Sequence, residues 1–185
     1  MILPIVAYGS NVLRSACKEI DSSYSNLDIL IDNMFETMYA ASGVGLAAPQ
    51  INKSIRLFIV DTTPFKDDDS PDHVVCKKIF INPKITSITG ESWSFSEGCL
   101  SIPEVREDVK RLSEITIEYF DKNFNKHTEI YDGLNARVIL HEYDHVEGIL
   151  FVDKISPLRK RMIKGKLKDI SNGTLNANYL IRSFK

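Results

Sequence analysis

The chain has 185 residues, of which 43% are hydrophobic and 26% charged, and its formal net charge is −2. A chain of this length forms one domain that buries a core without disulfides, and its composition excludes collagen-like, coiled-coil and largely disordered proteins. No stretch approaches the roughly 20 apolar residues of a membrane helix, so a membrane is not expected as a partner.

The cysteines and the opening segment predict a cytoplasmic protein. Cys17, Cys76 and Cys99 are odd in number and scattered, which favours reduced thiols over a disulfide framework. The opening residues have no basic start and soon meet Pro4 and Gly9, so we expect no signal peptide.

The first half of the chain predicts one helix and two short strands. After an extended lead-in over residues 1–20, apolar residues from Leu27 to Met38 recur at helical spacing and stop before Gly43. The run 56–61 is β-branched and aromatic, as expected of a strand, and 79–81 is a second candidate. The acidic, proline-rich segment between them predicts a surface loop.

The second half predicts a hairpin followed by a helix. Residues 115–120 and 127–131 alternate polar and apolar positions around a turn at 121–126. A helix is then expected from about residue 132 to Gly148. One stripe of this helix is expected to carry Leu134, Val138, His141 and His145.

The last predicted helix carries most of the positive charge. It begins at Ser156–Pro157, an N-cap followed by a proline at the first helical position, and ends at Asn172–Gly173. From Lys154 to the end, nine Lys and Arg residues stand against one acid, Asp169. This region therefore predicts either contact with a polyanion or a solvated helix face. The expected packing face consists of Leu158, Met162, Ile163, Leu167 and Ile170.

The strongest functional signal is the sequence His-Glu-Tyr-Asp-His at 141–145. On a helix, residues i and i+4 lie about 40° apart, so His141 and His145 can reach one metal ion. Glu142 lies about 60° from His145, where its carboxylate can act on a metal-bound water without being a ligand. Two histidines are too few for a catalytic site, which needs a third protein ligand.

Cys99 is the candidate third ligand. It lies in Glu-Gly-Cys-Leu-Ser at 97–101, where Gly98 lets the backbone turn sharply and approach another element. In thermolysin-like peptidases the third ligand is a glutamate on the next helix downstream. Here that region is rich in Lys and Arg instead. Cys17 and Cys76 are better explained as small buried hydrophobic residues.

A third segment, GVGLAAPQ at 43–50, combines two glycines with two alanines. So little side chain leaves the backbone exposed, which suits tight packing against a helix or an extended peptide laid alongside. A phosphate-binding loop is excluded because no Lys-Ser/Thr follows.

Together the three motifs resemble those of the peptide deformylase family, metalloenzymes that remove the N-formyl group from new bacterial polypeptides. GVGLAAPQ, EGCLS and HEYDH occur in the family's order, and the similarity extends from the opening LPIVAYGSNVLR to about Gly173. The resemblance implies a deformylase domain over residues 1–173 and a tail over 174–185 that we expect to be loosely ordered. The sequence departs from the family pattern at Leu140, where glutamine is usual, and at Val146, where leucine is usual.

The resemblance also implies the chemistry. Glu142 is expected to act as general base and then acid while a metal-bound water attacks the formyl carbon and formate is released. Gln50 and the backbone N–H of Leu100 are expected to stabilise the oxyanion. One divalent ion, physiologically Fe²⁺ with Zn²⁺, Ni²⁺ or Co²⁺ as alternatives, is expected on three ligands: Cys99, His141 and His145.

The expected substrates are N-formyl-methionyl nascent peptides. They are expected to pair as an added strand with the glycine segment, formed by Gly43, Val44 and Gly45. The methionine side chain is expected in an apolar pocket, whose candidates are equally explained as ordinary core: Val44, Phe95, Leu134 and Val138. Further polar candidates for substrate binding are Glu97 and Arg106.

The ribosome is the partner that the resemblance implies for the basic helix, and DNA is not expected. We expect four residues of this helix to contact ribosomal RNA phosphates: Arg159, Lys160, Lys164 and Lys168.

We therefore expect an α+β single domain, with antiparallel sheets around a central helix that carries the HExxH motif and with a C-terminal helix. Two alternatives remain open: an endopeptidase of the HExxH type, and a non-catalytic, metal-stabilised module that binds the ribosome. Asp144, on the motif helix, needs a buried charge partner, and Arg111 is the candidate.

Overall fold

The structure is a computed structural model that describes residues 1–66, 73–174 and 177–183. In these ranges we label seven strands and three α-helices. The strands are β1 Ile5–Val6, β2 Gly45–Ala47, β3 Leu57–Asp61, β4 Lys77–Cys99, β5 Ile102–Phe120, β6 Lys126–Asp132 and β7 Ile181–Arg182. The helices are α1 Leu27–Ala40, α2 Gly133–Val146 and α3 Pro157–Asn172.

One antiparallel sheet surrounds helix α2, as expected. Its strand order is β2-β3-β4-β5-β6, and α2 packs against β2, β3, β5 and β6. The second sheet differs from the expectation, because it is a parallel pair of β1 and β7. The α+β class with a central motif helix is confirmed, and none of the helices in the described ranges is long and apolar enough to cross a bilayer.

The predicted helices and the hairpin are confirmed to within a few residues. Helix α3 begins after the N-cap Ser156, whose hydroxyl accepts a hydrogen bond from the N–H of Arg159. The hairpin closes with Phe120 paired to Lys126, and the Asp121 carboxylate accepts N–H groups of the turn. Cys17 and Cys76 are buried, also as predicted.

Strands β4 and β5 form a much longer ribbon than the sequence predicts. Register shifts interrupt their pairing at four places, from Ile81/Lys84 to Gly98/Cys99, and such bulges bend a strand pair. The middle of β4, over residues 86–92, is exposed and mostly polar. Without an apolar face it lacks the two-residue period that marks a strand, and the sequence predicts only the end of the ribbon that holds residues 79–81 and 115–120.

The predicted packing face of α3 is wrong at two positions. Leu158 is 67% exposed and Met162 is 64% exposed, whereas Ile163, Leu167 and Ile170 are buried against the core. The three buried residues lie within about 60° around the helix, and Leu158 and Met162 lie about 80° or more away from that stripe. The face of α3 that packs against the core is therefore narrower than the apolar pattern of the sequence suggested.

Part of the C-terminal tail is held against the start of the chain. The N–H of Ile5 donates to the carbonyl of Leu180, and the N–H of Ala7 donates to that of Arg182. Residues 175, 176, 184 and 185 of this tail, and 67–72 of the predicted surface loop, lie outside the described residues. The domain boundary at 173 stays a prediction.

The narrow face of α3 leads to a direct stability test. Ile163→Ala should lower the free energy of unfolding by about 2–4 kcal/mol, because it removes buried apolar volume. Met162→Ala, one residue away on the same helix, should change it by about 0.5 kcal/mol or less. Urea denaturation of both variants measures the difference, and equal losses would contradict the observed packing.

Candidate functional site

Three potential metal ligands meet between the end of β4 and helix α2. The ligand atoms of Cys99, His141 and His145 all lie within 4.8 Å of one another, and the Cys99 Sγ is 3.2 Å from the His145 Nε2. The two imidazoles share a helix face because they are four residues apart. One thiolate and two imidazoles suit a divalent transition metal, and three protein ligands leave a coordination position open.

A buried carboxylate sets the orientation of His141. Glu97 is 4% exposed, and its Oε2 accepts a hydrogen bond from the His141 Nδ1 at 3.0 Å. The Nε2 of His141 is then the nitrogen left for a metal. Burial alone would raise the pKa of Glu97, but hydrogen bonds from Arg111 and His141 hold that pKa far below its usual range. Glu97 therefore stays ionised and remains an acceptor.

Two arginines complete this buried network. Arg111 donates to both oxygens of Glu97, at 2.7 and 2.9 Å, and to the Asp144 Oδ2 at 2.7 Å. The predicted partner of Asp144 is thus confirmed. Arg137 adds a hydrogen bond of 2.9 Å to Glu97. Lys154 pairs with the other oxygen of Asp144 at 3.3 Å, so both carboxylates of the network have cationic partners.

Glu142 lies next to this cluster with one oxygen free. Its side chain is buried, and within the described residues its Oε2 has no hydrogen-bond partner. A Cβ on Gly45 would lie 2.5 Å from the Glu142 Oε1, so only glycine leaves room for this carboxylate. Burial raises the pKa of Glu142 to about 7, and a divalent cation on the neighbouring ligands would lower it. The group is suited to exchange a proton at neutral pH.

Gln50 and Leu100 flank the ligands. The Gln50 Oε1 accepts the N–H of Ala47 at 2.8 Å, so its amide nitrogen faces the Cys99 Sγ at 3.5 Å and the Ser101 Oγ at 3.3 Å. Leu100 and Ser101 are the two residues that connect β4 to β5, because Cys99 pairs with Ile102. This short turn carries a candidate backbone donor and directly follows the candidate ligand Cys99.

A cavity of about 800 Å³ opens beside the cluster and brings most of the predicted site residues together. Leu134 is not among the residues that line it, because it lies in the first turn of α2, away from the motif. Arg106 lines the cavity and donates to the carbonyl of Ser96 at 2.6 Å. The predicted residues in its lining are Gly43, Val44, Gly45, Gln50, Phe95, Glu97, Cys99, Leu100, Arg106, Val138, His141 and Glu142.

Three residues of the site were not predicted from the sequence. Arg137 is buried one turn before His141, its guanidinium stacks on Trp93 at 4.3 Å, and a charge within an apolar helix face could have signalled it. Ser101 contacts Gln50, and Tyr179 reaches the cavity from the C-terminal tail. No periodicity or motif in the tail marks Tyr179.

Comparisons with known proteins agree with the motifs. The sequence model of the polypeptide deformylase family matches residues 2–161. The chain is 58% identical to a peptide deformylase of Christiangramia forsetii, over 98% of this chain and 96% of that protein. It is also 58% identical to one of Flavobacterium psychrophilum, over 98% and 97%.

Solved structures give the same result. A peptide deformylase from Legionella pneumophila superposes with a TM-score of 0.80 at 36% identity, over 93% of this chain and 96% of that one. A Plasmodium falciparum peptide deformylase in complex with an inhibitor gives 0.77 at 34% identity, over 90% and 97%. The chain therefore belongs to the polypeptide deformylase family. Its members are hydrolases that remove N-formyl groups from nascent peptides and act on N-formyl-methionyl peptides.

The contact between Gly45 and Glu142 generates a prediction. Gly45→Ala places a methyl group against the carboxylate, and a displacement of about 1 Å should lower the turnover of a formyl-methionyl peptide on the order of 10²-fold. Metal content should not change, because no ligand moves. Gly165→Ala is the matched control, since nothing lies within 4 Å of its added Cβ, and it should keep full activity. Full activity in Gly45→Ala would contradict the assigned contact.

Proposed function

We propose that this chain is a metal-dependent hydrolase that removes the formyl group from the N-terminal methionine of newly synthesised polypeptides in the cytoplasm. The observation that carries the proposal is the unpartnered oxygen of the buried Glu142, beside three clustered metal ligands, in the wall of the cavity. A buried polar atom without a partner is costly, so the unpartnered Oε2 of Glu142 favours a chemical role for this group.

The proposed metal ligands are Cys99, His141 and His145. When bound, the ion would acidify a water molecule and polarise the formyl oxygen. We propose Fe²⁺ as the physiological ion, and Zn²⁺, Ni²⁺ and Co²⁺ fit the same soft donor set. Glu97 supports this site by holding His141 in the tautomer that leaves Nε2 free.

Glu142 moves the proton in the proposed reaction. Its free oxygen takes a proton from the attacking water, and the new C–O bond forms at the formyl carbon. The same oxygen then gives the proton to the amine nitrogen as the C–N bond breaks, which releases formate and a free N-terminus. An amide leaving group needs this protonation, so one residue serves as base and then as acid.

Gln50 and Leu100 are the proposed donors to the developing oxyanion. The amide orientation of Gln50 is fixed by the N–H of Ala47, which points its NH2 group towards Cys99. The N–H of Leu100 belongs to the turn that directly follows Cys99. Both donors are held before substrate arrives, which is the condition under which such hydrogen bonds accelerate a reaction.

The peptide is proposed to add to the open edge of the sheet. Strand β2 is the terminal strand of the sheet, so one edge of it has no neighbour in the described sheet. The preceding residues Gly43 and Val44 line the cavity with Gly45, and an extended chain can pair there through its backbone. The methionine side chain is assigned to the apolar lining near Val44, Phe95 and Val138, without Leu134. Glu97 is reassigned from substrate contact to support of His141.

Formate release tests the proposal. Protein loaded anaerobically with Fe²⁺ should release formate from a short N-formyl-Met peptide. It should release no acetate from the N-acetyl counterpart. Glu142→Gln should keep bound metal and lose about 10²-fold or more in turnover, whereas Cys99→Ser should lose metal as well. Absence of formate despite one bound ion would contradict the function and leave the non-catalytic alternative. Cleavage of an internal peptide bond would instead favour the endopeptidase.

A ribosome contact is proposed for the exposed basic stripe of α3. Two of the four predicted residues are engaged within the chain, because Arg159 pairs with the buried Glu107 and Lys160 with Asp153. Lys164 and Lys168 are exposed and make no ion pair within the described ranges. With Arg161 they form one stripe at spacing i, i+3, i+7, available for RNA phosphates.

Co-sedimentation with ribosomes at several salt concentrations tests this contact. Lys164→Ala combined with Lys168→Ala should make the slope of log affinity against log salt concentration less steep, by the contribution of about two phosphate contacts. Lys18→Ala combined with Lys122→Ala removes the same charge elsewhere on the surface and should leave the slope unchanged. Ribosome binding that does not depend on salt concentration would contradict the proposal.

A further inference from the structure

We propose that Tyr179, in the C-terminal tail, is a positioning residue that fixes the turn bearing the Leu100 oxyanion donor. The inference rests on the proposed function, because it assigns Tyr179 a role in the same reaction. The family match ends at residue 161, so this part of the site comes from a segment that the family motifs do not include.

The tail reaches the cavity directly. The hydroxyl of Tyr179 donates a hydrogen bond to the carbonyl oxygen of Leu100 at 2.7 Å. Ala177, Asn178 and Tyr179 also line the cavity, together with the candidate ligands Cys99 and His141. Strand β7 follows immediately and pairs with β1, which anchors the segment on its C-terminal side. Tyr179 is thus held by backbone pairing while its hydroxyl holds the turn.

Other contacts hold the turn at Ser101 and through the Leu100 side chain, which packs against buried core residues. The turn contains only Leu100 and Ser101, and the Ser101 carbonyl accepts the N–H of Tyr8 at 2.8 Å. Gln50 contacts the Ser101 hydroxyl at 3.3 Å. Within the described residues, the Tyr179 hydroxyl is the hydrogen-bond donor to the Leu100 carbonyl. The Leu100 N–H and carbonyl flank the same Cα, so a displacement of the whole residue after loss of this hydrogen bond would also move the N–H.

Loss of this hydroxyl should therefore affect the rate more than substrate binding. Tyr179→Phe keeps the ring in the cavity wall and removes only the hydrogen bond. We expect kcat to fall about three- to ten-fold, the effect of one typical hydrogen bond, while KM changes less than about two-fold. A residue that only stabilised the fold would change the melting temperature without this separation of kcat from KM.

The experiment compares Tyr179→Phe with Leu180→Ala, a neighbour in the same segment that is exposed and absent from the cavity lining. Formate kinetics on a formyl-Met peptide are measured beside amide hydrogen exchange of a peptide fragment that spans residues 98–102. Tyr179→Phe should show lower kcat and faster exchange at 98–102, and Leu180→Ala should resemble the unmodified chain in both.

Unchanged kcat in Tyr179→Phe would overturn the inference, with or without faster exchange. Equal losses of kcat in both variants would also overturn it, because they would indicate a general effect of the tail. If the unmodified chain released no formate, the proposed function would fail by itself. The exchange comparison would then still decide whether Tyr179 holds the turn.

Discussion

The buried carboxylate of Glu97 joins the elements on which the site depends. It lies on β4 and accepts hydrogen bonds from Arg111 on β5 and from Arg137 and His141 on α2. A buried charge is tolerated only when its lone pairs are used, so these bonds fix the distance between the sheet and the helix. Cys99 follows Glu97 by two residues, and its sulfur is thereby held beside the imidazoles of α2.

The second constraint is that neighbouring side chains lie very close to the backbone at two glycines. A Cβ on Gly43 would lie 2.8 Å from the Leu100 Cδ1, and one on Gly45 would lie 2.5 Å from the Glu142 carboxylate. The same segment therefore supports the turn after Cys99, leaves room for the proposed base and precedes an open strand edge. A side chain at position 43 would displace the Leu100 side chain, and one at position 45 would displace the Glu142 carboxylate.

Local signals explain what the sequence could predict. The caps and apolar periods defined α2 and α3, and the motif at 141–145 placed two imidazoles and Glu142 on one helix. Most of the β4–β5 ribbon was missed, because the middle of β4 is exposed and polar and two buried positions of β5 carry the charged residues Glu107 and Arg111. Leu134 was expected on the site stripe from its spacing, but the first turn of α2 lies outside the cavity lining. Tyr179 reaches the site through a contact distant in sequence, which no local pattern encodes. Arg137 was missed although it is a charge on the apolar face of the motif helix.

A comparison of the metal affinities of Glu97→Gln and Glu107→Gln tests most directly whether Glu97 organises the site. Both carboxylates are buried and paired with arginine, but Glu107 pairs with Arg159 of α3 and, within the described residues, makes no hydrogen bond to a candidate ligand. Competition for Zn²⁺ with a chromophoric chelator should show an affinity about 10- to 100-fold weaker in Glu97→Gln. Glu107→Gln should lose stability and keep its affinity. Equal Zn²⁺ affinities in the two variants would contradict the role given to Glu97.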